Sequence, residues 1–282
     1  MPSGKLCAIM AASAAIASFG AEPGPSTFIC HRGESVDAPE NTLPAYRMAV
    51  ERGFGFECDI YLSADGRVFT FHDATLKRTS GGKSTKKCSE ASWADEVSKL
   101  DVGGWGKWKG SKFEGTRPAL LEEVLELARD GRWIYIEVKA GPEIVPYVKK
   151  ILAAQGNAHP GNALFICFND KVCAELKRQL PEYRVYWLSG SRNKAADGTR
   201  TVPIPAGEIV RRTKACGADG VDICFDPGVH TAEYVKAVRN AGLDFHVWTV
   251  DDPVKSLLAF CRGAQTVTTN CAKRQMEQIF GR

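Results

Sequence analysis

The chain has 282 residues, 44% apolar and 25% charged, the profile of a globular protein of one large domain or two small ones. Its 37 basic and 33 acidic residues give a net charge of +4. That suits anionic ligands, is too weak a charge to argue for nucleic acid, and goes with a chain long enough to build its core without disulfides.

The chain opens with one lysine in "MPSGK", a small apolar run "LCAIMAASAAIASF", and small residues at Ser18 and Gly20. This reads as a signal peptide over residues 1–21, cleaved near Gly20 or Ala21. The run is short for a membrane span, so the expectation is export to the periplasm or the cell exterior with no stable membrane anchor. Beyond Cys7 there are nine cysteines, an odd number that cannot pair completely. Cys30, Cys58 and Cys167 lie in apolar runs, where cysteine acts as a small hydrophobe. No Cys-x-x-Cys occurs, which excludes a zinc knuckle, and one or two disulfides remain open.

Strands are expected at Thr27–His31, Phe54–Ile60, Val68–His72, Trp133–Val138, Leu164–Phe168, Arg184–Trp187, Gly220–Ile223, Asp244–Thr249 and Gln265–Thr268. Helices are expected at Thr42–Arg52, Leu120–Arg129, Glu143–Ala154, Lys171–Leu180, Gly207–Ala215, Thr231–Ala241, Pro253–Cys261 and Ala272–Ile279. Apart from a hairpin over Phe54–His72, strands and helices alternate. Repeated βα units of this length predict an α/β fold, a closed (β/α)8 TIM barrel over residues 26–281, with an open doubly wound sheet as the alternative. Residues 74–117 break the rhythm and are too long for a simple βα loop. Their Trp93, Trp105, Trp108 and Phe113 predict a packed lobe inserted after the hairpin, on one mouth of the barrel.

Side chains alternate faces along a strand. Phe54, Phe56, Cys58 and Ile60 share one face, while Glu57 and Asp59 share the other. Ile134, Ile136 and Val138 oppose Tyr135, Glu137 and Lys139, and Phe245 and Val247 oppose His246 and Trp248. Aliphatic residues therefore face the helices and polar ones face inward, late in their strands, where barrel enzymes place their chemistry. His31 ends the first strand, Arg32 follows it, and His72 ends the hairpin strand. Carboxylates Glu57, Asp59 and Glu137 repel one another when buried together, and one divalent cation, Mg²⁺ or Ca²⁺ for oxygen ligands, resolves this. Ion pairing with Lys139 or Arg32 is the simpler account of each carboxylate alone. Two histidines at adjacent strand ends beside them suit an acid/base pair.

The stretch "HRGESVDAPENTLPAYRMAVERGFGFECDIYLSADGRVFTFHD" resembles the signature of the glycerophosphodiester phosphodiesterases: HRG, PENT, E-x-D, and a strand ending HD. "IEVK", "VWTVDD" and "VTTN" are similar to later strands of that family, so the resemblance spans about residues 27–280. It implies metal-dependent hydrolysis of a small-molecule glycerophosphodiester to sn-glycerol 3-phosphate and an alcohol. His31 and His72 would be base and acid, Glu57, Asp59 and Glu137 the cation ligands, and Arg32 and Lys139 the phosphate clamp. Trp248 would pack on the glycerol. Glu40 would orient a neighbour in the site, and Asn41 would support it or simply cap the first helix. Two departures are noted: "RPALLEE" replaces an Ile-Pro-Thr-Leu element after the insertion, and no proline follows Asn270. Competing readings are another phospholipase or phosphodiesterase on the same barrel, a catalytically inactive phosphate-ligand-binding barrel, and a sugar-phosphate isomerase or aldolase. Head group, choice of cation, attacking nucleophile and oligomeric state are not legible.

Overall fold

A computed structural model describes residues 24–195 and 198–281; the expected signal peptide at 1–21 lies outside the described residues. Eight parallel strands close into a barrel in the order β1 (Phe28–Cys30), β2 (Gly55–Leu62), β4 (Ile134–Val138), β5 (Ala163–Cys167), β6 (Val185–Ser189), β9 (Gly220–Cys224), β10 (Asp244–Trp248) and β11 (Val267–Thr269), which returns to β1. β3 (Val68–Thr70) folds back antiparallel on the late half of β2, pairing Thr70 with Ile60. The helices are α1 (Leu43–Glu51), α2 (Leu121–Leu125), α3 (Val145–Ala154), α4 (Asp170–Gln179), α5 (Ala206–Ala215), α6 (Ala232–Asn240), α7 (Pro253–Cys261) and α8 (Ala272–Phe280). Several begin on a side-chain cap: the Thr42, Asn169, Thr231 and Asp252 oxygens accept from backbone amides of α1, α4, α6 and α7.

Alternating side chains divide the interior. Phe56, Cys58, Ile60, Ile134, Ile136 and Val138 pack between barrel and helices in the main core. Ile29, Tyr135, Leu164, Ile166, Tyr186 and Leu188 fill the barrel itself. The register of β2 on β4 sets Asp59 directly beside Glu137. One strand residue of slip would turn both carboxylates into the helix layer.

Residues 74–117 hold a small core of their own, in which Leu76, Cys88, Trp93, Val97 and Leu100 pack on Phe69 and Phe71. Trp108 meets Phe113 edge-on, with ring centroids 5.5 Å apart.

Three features differ from expectation. The helix expected to Arg129 ends at Leu125, and the chain tightens into turns (Leu127 to Val124, Ala128 to Leu125) before Gly131 at φ +73°. β3 stops at Thr70, although the Phe71 amide still donates to the Asp59 carbonyl at 3.0 Å. An unforeseen hairpin pairs β7 (Arg192–Lys194) with β8 (Thr201–Pro203); largely exposed, it carries no buried apolar alternation to betray it. Among the described residues Cys30, Cys58, Cys88, Cys167, Cys173, Cys216, Cys224 and Cys271 are free thiols. No helix among them is long and apolar enough to cross a membrane.

Candidate active site

The site begins in the turn after β1. Arg32 and Gly33 have φ of 58° and 76°, and a Cβ on Gly33 would fall 2.7 Å from the Ala45 backbone of α1, so only glycine fits. This left-handed turn aims the Arg32 amide at Glu57 Oε2, 2.8 Å away. Asn41, also at positive φ (55°), reaches across to β2. Its Nδ2 donates to Asp59 Oδ2 at 2.7 Å, and its Oδ1 accepts from the Asp59 amide at 3.0 Å and the Tyr46 hydroxyl at 2.8 Å. Thr42, not Asn41, caps α1. Asn41 is a clamp on a carboxylate, and its strained backbone fits that task.

Each of these carboxylates thus has one oxygen tied to the protein. Glu57 Oε1, Asp59 Oδ1 and Glu137 Oε1 are buried and accept no hydrogen bond. Oxygens of Glu57, Asp59 and Glu137 gather within 4.8 Å of one another. Lys139 Nζ lies 2.6 Å from Glu137 Oε1 and 3.2 Å from Asp59 Oδ1, at ion-pair distance but poorly aligned for hydrogen bonding. Arg32 Nε adds a second cation 3.5 Å from Asp59 Oδ2, which still leaves two cationic groups facing three buried carboxylates. Burial first, then the neighbouring carboxylates, push Glu57 well above the ordinary range and Glu137 to about 7. Burial also opposes the charge of Asp59, but Lys139 and Arg32 outweigh it and hold this carboxyl low. Unsatisfied oxygens converging on one point, all of them hard donors, fit a divalent cation of the Mg²⁺ or Ca²⁺ kind.

Both histidines are oriented through Nδ1. His31 Nδ1 lies 2.7 Å from Asn270 Oδ1, and Asn270 Nδ2 donates to Asp251 Oδ2 at 2.8 Å, which fixes the amide. His72 Nδ1 lies 2.8 Å from Asp73 Oδ1. With acceptors at both Nδ1 atoms, each Nδ1 carries a hydrogen and each Nε2 is left for the substrate, an acceptor on a neutral ring and a donor on a protonated one. Burial, then the Arg32 charge, hold the His31 pKa down at about 4, so this ring is neutral and ready to accept a proton.

Arg78, from the inserted lobe, ties these supports together. Its guanidinium donates to both Asp73 oxygens at 2.8 and 2.9 Å and to both Glu40 oxygens at 2.9 and 2.7 Å. Glu40 Oε1 also accepts from Arg32 Nη1 at 2.9 Å. Hydrogen bonds from Arg78 are the first cause of the low Asp73 pKa of about 2. The lobe is therefore wired to His72 through Asp73 and to Arg32 through Glu40.

A cavity of about 320 Å³ opens at this mouth, lined by His31, Arg32, Glu57, His72, Glu137 and Lys139, and across from them by Phe168, Asp222 and Trp248. A larger groove of about 730 Å³, between the β2–β3 turn, α2 and α3, pairs Arg67 with Glu122, and its unpartnered Glu122 Oε2 and Gln155 Nε2 belong to no cluster of carboxylates and histidines. The chemistry sits in the smaller one.

The sequence matches the family model of the glycerophosphoryl diester phosphodiesterases over residues 31–273. The chain belongs to this family. It is 34% identical over 161 residues to a glycerophosphodiester phosphodiesterase of Caldanaerobacter subterraneus, a match covering 56% of this chain and 64% of that protein. It is 27% identical over 256 residues to a glycerophosphodiester phosphodiesterase of Bacillus subtilis, covering 86% and 82%. The chain spans only 46% of two other curated relatives. Among solved structures, an Oleispira antarctica phosphodiesterase in complex with the product sn-glycerol-3-phosphate superposes with a TM-score of 0.72 at 24% identity, covering 94% of this chain and 98% of that one. That likeness shows the (β/α)8 fold.

The structure brings His31, Arg32, Glu57, His72, Glu137, Lys139 and Trp248 to one cavity, with Asp59, Glu40 and Asn41 directly behind. Sequence reading passed over Asn270, Asp73, Arg78 and Asp222. The first two stand at the ends of motifs that were noticed, "VTTN" and "FHD". Arg78 carries no local signal, because its partners lie 38 residues away at Glu40 and 5 residues away at Asp73. Asp222 is a single acid inside the apolar run "GVDIC", the same kind of signal that marked Glu57.

Proposed function

We propose that the protein hydrolyses glycerophosphodiesters to sn-glycerol 3-phosphate and an alcohol, with one divalent cation, Mg²⁺ or Ca²⁺, held by Glu57, Asp59 and Glu137. The observation that carries this reading is the pair of Nδ1-anchored histidines beside three carboxylates whose free oxygens converge. When bound, the cation supplies Lewis-acid stabilisation of charge on a nonbridging phosphate oxygen.

The protein's own groups do the rest. Arg32 and Lys139 face the cavity and neutralise the phosphate. His31, neutral and with Nε2 free, takes the proton from the attacking hydroxyl. As the oxygen–phosphorus bond to the leaving alcohol breaks, His72 gives its Nε2 proton to that oxygen, and the Asp73 carboxylate at Nδ1 suits a ring that must carry a proton. Trp248, which meets Phe168 edge-on at 5.6 Å, gives the carbon skeleton an apolar wall.

A non-catalytic phosphate binder has little use for two oriented histidines, which favours the enzyme. The test is release of glycerol 3-phosphate from glycerophosphocholine and glycerophosphoethanolamine, read by a coupled assay with Mg²⁺ or Ca²⁺ and again with EDTA. Turnover that persists unchanged in EDTA sinks the cation assignment, and no turnover of any glycerophosphodiester sinks the reaction. We also propose that the protein is exported, on the strength of the lysine and apolar run before Gly20. N-terminal sequencing of the secreted form should begin near Ala21.

A further inference from the structure

The mechanism above uses one wall of the cavity, built from β1, β2, β4 and the end of the β2–β3 hairpin. The facing wall, from β5, β6, β9 and β10, consists of Ile166, Phe168, Leu188, Asp222, Trp248 and Thr249. Asp222 is the one charged group on it among the described residues.

Asp222 is on the inward face of β9, since Val221 and Ile223 on either side belong to the outer core. Its side chain is fully buried, and neither carboxyl oxygen has a hydrogen-bond partner. No donor on the strands beside it bonds the carboxyl, His246 Nε2 being itself unpartnered. Leu188 of β6 and His246 of β10 are its register neighbours. His246 engages Tyr135 and Thr266 through Nδ1, and the Trp248 indole N–H goes to the backbone carbonyl of Asp222 rather than to its carboxyl. Burial, then the charge of Glu137, raise its pKa well above the ordinary value. A leucine here would pack without that cost, so an unpaired carboxyl is explained better by a ligand than by stability.

A phosphate anchored by Arg32 and Lys139 sends its carbon chain across to this wall. There Ile166, Leu188 and Trp248 cover its C–H faces, and Asp222 needs a hydroxyl. A trimethylammonium group has no hydrogen to donate, so in glycerophosphocholine the donor is on the glycerol. We infer that Asp222 reads the glycerol moiety, its carboxyl hydrogen-bonding one of the two free hydroxyls of the phosphate-anchored glycerol chain. This rests on the cavity being a glycerophosphodiester site, as proposed above.

The test is calorimetric binding of glycerol 3-phosphate and of propyl phosphate, which lacks the hydroxyls, to the cation-loaded wild type, Asp222→Leu and Asp222→Asn. Asp222→Leu should weaken glycerol 3-phosphate at least about tenfold while propyl phosphate changes little, as expected when a hydroxyl-binding partner is removed. Asp222→Asn, near-isosteric and able to accept, should lie between and guards against a folding failure of the leucine variant. Equal loss for both ligands, no change in either variant, or no binding by the wild type overturns the inference. A loss seen with phosphoethanolamine in place of glycerol 3-phosphate would assign the wall to the head group and overturn it as well. Wild-type turnover of glycerophosphocholine is measured alongside. Normal turnover with unchanged binding ratios refutes Asp222 alone, and absent turnover with the expected ratios refutes the reaction alone.

Discussion

Two polar layers occupy the inside of one barrel and have opposite characters. Toward the strand starts, Tyr135 OH lies 3.1 Å from His246 Nδ1 and 3.0 Å from Thr266 Oγ1, and the His246 ring stacks on Tyr186 at 4.3 Å. Burial first holds His246 down at about 3, so this ring is neutral. Toward the strand ends, Glu57, Asp59 and Glu137 present oxygens that accept no hydrogen bond, two of them facing Lys139 alone. Both layers are buried, both are polar, and both contain groups far from their ordinary pKa. A buried histidine is therefore no sign of function here, whereas converging, unsatisfied acceptors are.

The contrast breaks if the upper layer works without a cation or its histidines. EDTA should abolish turnover and added Mg²⁺ or Ca²⁺ should restore it, as read by the coupled glycerol 3-phosphate assay. His31→Ala and His72→Ala should each lower kcat by roughly 10²-fold or more, the size expected for loss of a general base or acid. Two active variants would refute the roles given to these rings.

Next in size is Arg78. Arg78→Ala removes the fork that holds Asp73 and Glu40 and should lower kcat about 10- to 100-fold, with KM changed much less. Arg78→Lys should not restore the rate, because a point charge cannot grip two carboxylates bidentately. Equal losses in kcat and thermal midpoint would mean that Arg78 only supports the lobe.

The unsatisfied layer should also show itself without substrate. The folded-state pKa of Glu137, about 7, lies above the unfolded value, because burial and then Asp59 resist its charge. Its contribution to stability is thus complete below the unfolded pKa of about 4.3 and is lost as pH rises toward 7. Buried neutral His31 and His246 contribute the opposite slope, so the test is a difference: relative to Glu137→Gln, the cation-free protein should lose melting temperature over that window, and saturating cation should abolish the loss. Binding near pH 7 should release protons, measurable by calorimetry in buffers of different ionisation enthalpy. A difference between wild type and Glu137→Gln that is flat over this range would contradict the assignment.

What could be read in the sequence follows from how local each signal is. Period-two alternation is local, so Glu57 and Asp59 could be turned inward and Phe56 and Cys58 outward from "FECDI" alone, and "IYIEVK" yields Glu137 in the same way. Strand ends are less certain: β3 stops two residues before His72, yet the antiparallel return still delivers that ring to the mouth. The second tier of the site is non-local. Asn270 reaches His31 across 239 positions, and Asn41 grips Asp59 through a positive-φ backbone that a helix-cap reading misses. Asp222 was legible by the logic applied to Glu57, but a lone acid in an apolar strand has no neighbouring acid to draw attention to it.

The smallest effect tests the neutral layer. Tyr135→Phe deletes one hydroxyl and keeps the ring, leaving His246 and Thr266 to each other at 2.7 Å. Removing one buried hydrogen-bonding group should cost about 1–3 kcal/mol at most. For a domain of this size each kcal/mol lowers the melting temperature by about 2–4 °C. Turnover and cation affinity should be unchanged, because this hydroxyl binds inside the lower layer and touches none of the carboxylates above it. A Tyr135→Phe variant that kept its melting temperature and lost activity would reverse the assignment of the two layers, since the hydroxyl would then act on the site and not on the fold.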